Sequence, residues 1–352
     1  MTISPFDHPL LSSLLGDEEA ARAFSVASEI TAMIAVERAL AEAEAAEGVI
    51  EPAAAQAIQA ALDSFAPDMG KLRTALARDG VVVPELVRQI RLGVAEPFRE
   101  QVHFGATSQD IIDTALMLRL KPILDRFDRL LADLIERLAA LNIRFGGRTL
   151  TGVTRMQPAI PIRVSDRLAA WRQPLERDRE RLKERSERLL AVQLGGAAGT
   201  LDKLGGKAAA VRAGLATRLG LADAPQWHSQ RDGIAEFAGW LSLTTGSLGK
   251  IGQDIALMAL SGSDIALSGG GGSSAMPHKQ NPVAAEALVA LARFNATQLA
   301  GMHQALVHEY ERSGAAWMLE WLILPQMVTA TAGALRLAVE LAGQIEGMGT
   351  NA

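Results

Sequence analysis

The sequence contains no cysteine. Disulfides, thiolate metal sites and a cysteine nucleophile are thereby excluded, and a reducing cytoplasm is the expected setting. Aromatic residues are scarce, at 4% of the chain with a single Tyr. Ala and Leu, both strong helix formers, dominate the 49% apolar composition and favour helices over sheets. Positive charge is not in excess: the net charge is −5 with both signs interspersed, so no basic footprint for nucleic acid exists. No apolar stretch approaches the roughly 18 residues of a membrane span, and the N-terminus lacks a basic-then-apolar leader. Neither nucleic acid nor membrane is therefore an expected partner. At 352 residues the chain can bury a large core.

Helix punctuation divides the chain. Pro5, Pro9 and Gly16 mark an irregular lead-in, and Asp17 can cap a helix that runs to Gly48, with Glu18 and Glu19 at its positive dipole end. Shorter helical pieces follow, so residues 1–97 read as a small helical domain. From Ser108 to Phe145 the apolar positions Leu116, Leu120, Ile123, Phe127, Leu130, Leu134, Leu138 and Leu141 recur at three-and-four spacing. That pattern predicts one long helix closed by Gly146-Gly147. A second is expected from Pro161 to Leu194, and others over 229–262 and 282–345, the last bent or broken near Gly314 and Pro325. Pro122 and Pro174 should kink their helices. Helices of this length bury their apolar stripes against one another, so the fold class is all-α, a long-helix bundle over 98–346 with a tail at 347–352. Trp171, Trp240 and Trp317 read as core.

Three polar or Gly-rich segments interrupt this background. The first, Gln101 to Asp110, leads into the first long helix with Thr107 or Ser108 as N-cap. Hydroxyls and amides there serve equally as a cap or as an anion site. The second, Gly152 to Pro161, carries the donors Thr154, Arg155 and Gln157. The third runs from Ser268 to Pro282, with Gly269-Gly270-Gly271-Gly272 before Ser273-Ser274 and then Met276, Lys279, Asn281 and Pro282. Four consecutive glycines expose amide donors at an entropic cost that a purely structural turn would avoid.

The third segment resembles the Gly-Ser-Ser, two residues, Pro, one residue, Lys, one residue, Asn-Pro signature of the fumarase/aspartase superfamily. The first resembles that superfamily's Thr-Ser-x-Asp region with a preceding His103, and the second its Thr-His-x-Gln-Pro-Ala region, all in the family's order. The runs Gln193 to Thr200, Trp227 to Asp232 and Glu311 to Trp317 are similar to the branch of bacterial 3-carboxy-cis,cis-muconate cycloisomerases.

The resemblance implies Ser273 as catalytic base on a closing loop, with no metal or cofactor. Proton removal beside a carboxylate builds a doubly charged aci-carboxylate, for which Lys279, Asn281, Thr107 and Ser108 are the candidate stabilisers. Ser274 and Met276 accompany them as substrate contacts. Where the superfamily's lyases carry His, this chain has Arg155, which cannot serve as a general acid. A carboxylate leaving group, with a pKa near ~4, needs no such acid. Lactone closure or opening has that property, and a small tricarboxylate substrate gives Arg155, His103, Arg231 and Arg312 their charges to meet. The alternatives are an amine- or water-eliminating lyase of the superfamily such as adenylosuccinate lyase and, in another functional class, a non-catalytic homologue kept as a structural or binding protein. The resemblance also implies a homotetramer, with each site built from three subunits. Many members of the family continue into a small third domain, which is expected to be absent here.

Overall fold

The computed structural model describes residues 4–272, 276 and 280–351. In chain order its helices are α1 (Leu11–Leu15), α2 (Glu18–Ala23), α3 (Val26–Ala46), α4 (Pro52–Asp63), α5 (Met69–Asp79), α6 (Val83–Gly93), α7 (Ser108–Phe145), α8 (Val164–Leu189), α9 (Ala208–Leu219), α10 (Asp232–Ser261), α11 (Val283–Gln304) and α12 (Gly314–Gly343). Short strands join them: β1 (Thr149–Thr154), β2 (Gln157–Arg163), β3 (Ile265–Leu267), β4 (Gly271–Gly272), β5 (Gln280–Asn281) and β6 (Ile345–Met348). The fold is all-α, 69% helical with a few small strands.

α7 has the length its periodicity predicts, 38 residues. At about 1.5 Å per residue it spans about 57 Å. Its start is set by the backbone N–H of Thr107, which donates to Asp110 Oδ2 at 2.9 Å, half of a capping box. α7, α8, α10, α11 and α12 form the bundle, whose core holds Phe127, Trp171, Phe237 and Trp240. α10 and α11 approach closely where Gly252 faces Ala285, since a Cβ on Gly252 would sit 2.5 Å from the Ala285 carbonyl oxygen. Pro122, Pro174 and Pro325 lie inside α7, α8 and α12, each of which continues through its proline.

A second core packs α3, α4 and α6 against the start of α7. It also takes in Val192, Leu194, Leu204, Val211 and Leu215, so the expected 1–97 unit shares its interior with residues from the middle of the chain.

Several boundaries differ from expectation. Asp17 does cap a helix, accepting from the Ala20 N–H at 3.0 Å, but α2 stops at Ala23 and Ser25 caps α3 afresh. Pro161 does not open α8. The second segment instead folds back as an antiparallel hairpin, with Thr154 opposite Gln157 and Thr149 opposite Arg163. A two-stranded ribbon has an unpaired edge on each strand, and this is where prolines are tolerated. The 282–345 stretch breaks just before Gly314, as expected there, but α12 runs on through Pro325. Among the described residues α12 is one helix that by length and composition could cross a membrane, which corrects the reading that no stretch approaches that size. Its most apolar window is 72% buried inside the protein, as befits the central helix of a core. Residues 345–350 are not a loose tail. β6 pairs with β3, and Thr350 exchanges backbone bonds with Thr149, tying the base of the Gly-rich segment to the base of the hairpin.

Candidate active site

The N-terminus of α7 carries a dense polar cluster. Asp110, 1% exposed, accepts at Oδ2 from the Thr107 and Gly196 N–H groups at 2.9 Å. Its Oδ1 accepts from Gly195 N–H at 2.8 Å, Gln193 Nε2 at 3.2 Å and His228 Nε2 at 2.7 Å. One carboxylate thus pins the Gly195-Gly196 turn, the His228 ring and the start of α7. The bond to Asp110 makes Nε2 the donor, and Nδ1 is buried without a partner among the described residues. Gln109, fully buried, donates from Nε2 to Asp113 Oδ2 at 3.0 Å and to the His228 carbonyl at 2.9 Å. Its Oε1 accepts from Arg312 Nε at 2.9 Å, and Arg312 Nη2 reaches the Ala197 carbonyl at 3.2 Å.

Thr107 and Ser108 are half-buried and line a cleft of about 300 Å³ with Gln109, Arg312, Trp317 and Trp321. His103, just outside, holds a φ of 61°, a conformation unusual for a residue with a side chain. Its Nδ1 lies 2.6 Å from Glu37 Oε1. Burial alone would lower the pKa of His103, but the charge and hydrogen bond of Glu37, aided by Asp110, outweigh it and leave the pKa raised. The first segment, the two middle runs and Arg312 therefore meet in one chain, at a site with amide, hydroxyl, imidazole and guanidinium groups.

Arg231, expected among the cations that meet the substrate, is spent in the interior. Its guanidinium is 2.6 Å from Asp113 Oδ2 and 2.5 Å from Glu320 Oε2, with Trp317 Nε1 donating to Asp113 Oδ1 at 3.2 Å. Burial acts to lower its pKa, but the two carboxylates more than offset that and hold it cationic. Burial raises the pKa of Glu320, an effect its bonds to Arg231 only partly counter. Arg231 positions the floor of the cleft and offers nothing to a ligand.

The hairpin stands apart. Arg155 and Met156 form its tip with φ of 47° and 63°, the two positive values of a type I′ turn. Thr154, Arg155, Met156 and Gln157 are all exposed. They follow the far end of α7, about 57 Å of helix from Ser108, so one chain does not bring Arg155 to the Thr107 cleft. The third segment is stapled at its base, where Gly271 pairs with Asn281 and Gly272 with Gln280. Gly269 and Gly270 have φ of 93° and 140°, which only glycine adopts readily. Asn281 is half-buried there and Met276 exposed, while Ser273, Ser274 and Lys279 lie outside the described residues.

Sequence reasoning named Asp110 only as part of the Thr-Ser-x-Asp motif, gave Gln109 no role, and passed over Glu37, Asp113 and Glu320. Asp110 and Asp113 carried a signal, two acids three residues apart at the start of an otherwise apolar stripe. Glu37 and Glu320 carried none, since their partners are distant in sequence.

A lyase family model matches residues 17–295. Among curated proteins, the chain is 40% identical over 345 residues to the 3-carboxy-cis,cis-muconate cycloisomerase of Bradyrhizobium diazoefficiens, covering 95% of this chain and 76% of that one. It is also 40% identical over 338 residues to the enzyme of the same name from Pseudomonas aeruginosa, covering 94% and 73%. The crystal structure of the 3-carboxy-cis,cis-muconate lactonizing enzyme from Pseudomonas putida matches with a TM-score of 0.87 and 37% identity, over 96% of this chain and 77% of that one. The fold, the ordered segments and these matches make the class plain: the chain belongs to the lyases of the fumarase/aspartase superfamily.

Proposed function

We propose that this enzyme interconverts 3-carboxy-cis,cis-muconate and 4-carboxymuconolactone by reversible addition and β-elimination of a carboxylate. The observation that carries the reading is its 40% identity, along nearly its whole length, to curated cycloisomerases of that name. Arg155 at the position of the lyases' His supports it, because a carboxylate departs without protonation whereas an amine does not.

In the opening direction the Ser273 Oγ takes the proton α to a carboxylate, charge gathers on that carboxylate, and the lactone C–O bond breaks to release the second carboxylate. Closure is the reverse. Lys279, Asn281 and the Thr107–Ser108 helix start stabilise the aci-carboxylate, while His103 and Arg312 bind the remaining charge with Arg155, Thr154, Gln157, Ser274 and Met276. No step draws on a metal or cofactor.

A homotetramer with sites shared between subunits completes the proposal. One chain holds Thr107 and Arg155 at opposite ends of α7. Exposed apolar residues on the hairpin, Val153 and Ile160, and on α10, Leu243 and Leu260, suit burial against other copies. A loss of conjugated-diene absorbance on adding enzyme to 3-carboxymuconate tests the reaction, and an inert mixture at about micromolar enzyme overturns it. Ser273→Ala should lower kcat by at least about 10²-fold. Unchanged turnover would remove Ser273 as the base. Fumarate release from adenylosuccinate would favour the amine-eliminating alternative instead.

A further inference from the structure

Beside the Thr107 cleft, on the other side of Trp321, lies a larger cavity of about 500 Å³. It opens between the start of α3, α5, α7 and α12, and Phe24, Met69, Leu72, Leu76, Leu116 and Leu324 make its walls apolar. This size and lining suit a small organic ligand. Nothing in the proposed lactonisation uses it.

One wall carries a charge that the chain leaves poorly compensated. Arg119, half-buried, lies with its guanidinium carbon 5.7 Å from the centre of the Phe24 ring. Its hydrogen bonds are long: Nε to the Ala115 carbonyl at 3.4 Å and Nη1 to the Ala23 carbonyl at 3.5 Å. Among the described residues no carboxylate forms an ion pair with it, and Glu29 acts on it only as a more distant charge. A guanidinium taken from water without an acceptor of good geometry favours any anion that can reach it. Burial accordingly lowers its pKa.

We propose that this cavity is a second ligand site, which takes a small apolar monocarboxylate with its carboxylate on Arg119 and its hydrocarbon body against α5 and α12. The remaining charges set the selectivity. Glu29 and Glu320 also line the cavity, and so does the exposed Arg73 of α5. Glu320 turns its oxygens to Arg231, at 2.9 and 2.5 Å. One ligand carboxylate is matched by Arg119, while a further one would have to leave the apolar walls for the exposed Arg73 or face Glu29, so a monocarboxylate fits this cavity better than the tricarboxylate substrate. Occupancy would also be felt in the catalytic cleft, because Trp321 packs on Trp317 with ring centres 4.7 Å apart and Trp317 bonds Asp113.

The test is calorimetric titration of the full chain with 3-phenylpropanoate, beside its amide, 3-phenylpropanamide. Saturable binding is expected for the acid, and at least about tenfold weaker binding for the amide. Arg119→Gln should weaken the acid by a similar factor and leave the amide unchanged, whereas Leu116→Trp should abolish both by filling the cavity. Thermal melts establish that each variant is folded, and the acid-to-amide comparison needs no variant at all. In the cycloisomerase assay the acid should act non-competitively. The proposal is overturned by no saturable binding up to about 10 mM, by equal affinity for acid and amide, by undiminished binding to Leu116→Trp, or by inhibition purely competitive with the tricarboxylate, which would place the acid in the catalytic cleft.

Discussion

Glu44 sits on α3 with none of its surface exposed, and neither carboxyl oxygen has a hydrogen-bond partner among the described residues. Burial, with the charge of Glu37 beside it, raises its pKa from 4.5 to about 9. Between those values the folded state holds a proton that the unfolded state has lost. Stability is therefore full below the unfolded pKa and falls as pH rises towards about 9. Glu44→Met, which keeps the side-chain length and removes the titrating group, should flatten the stability profile between about pH 5 and 9 and add on the order of 2–4 kcal/mol at pH 8. Urea denaturation across that range checks this, and parallel profiles for the two proteins would refute it. Arg231 presents the opposite case. Arg231→Met strands two buried carboxylates, Asp113 and Glu320, and should cost about 3–5 kcal/mol. A loss below about 1 kcal/mol would mean that the triad contributes no more than a surface ion pair.

Element-scale consequences follow from close approach. At Gly252 α10 meets α11 with no room for a Cβ, which would lie 2.5 Å from the Ala285 carbonyl oxygen and 2.9 Å from the Leu288 Cβ. Gly252→Ala, although it improves helix propensity by about 1 kcal/mol, should force the pair apart and cost a net 1–3 kcal/mol or so. A rise in melting temperature would show that the two helices can slide. At the hairpin tip two side-chain-bearing residues occupy positive φ. Met156→Gly should therefore raise stability by about 1 kcal/mol through relief of αL strain. The Arg155 and Met156 side chains occupy a turn that Asn-Gly would form at lower cost.

At the scale of the whole molecule, shared sites make a quantitative prediction. Ser108→Ala and Arg155→Ala lie on segments that one chain holds at opposite ends of α7. Each variant alone should be inactive. Co-expressed, they should assemble some sites that lack both substitutions, and random mixing gives roughly a quarter of wild-type activity. Activity no greater than the sum of the two variants would overturn shared sites, and a monomer by light scattering would do so independently.

Local chemistry made much of this legible without coordinates. The start of α7 could be read because a capping Thr and an acid three residues later satisfy the free amides of a helix N-terminus, whatever the rest of the chain does. The Gly-rich segment could be read because only glycine tolerates the φ of 93° and 140° found there. The family motifs located the first segment and Arg312, which the fold brings into one cleft. Other assignments had no local signature. Whether Arg231 faces substrate or core depends on Asp113 and Glu320, 118 and 89 positions away, and a sequence window contains neither. The hairpin was missed for a related reason. Its prolines suit a helix start and an unpaired strand edge equally, and strand pairing decided between them. Helix ends and tight turns are settled by the residues that form them. A buried charge is settled by its partners, and only the packed chain brings those together.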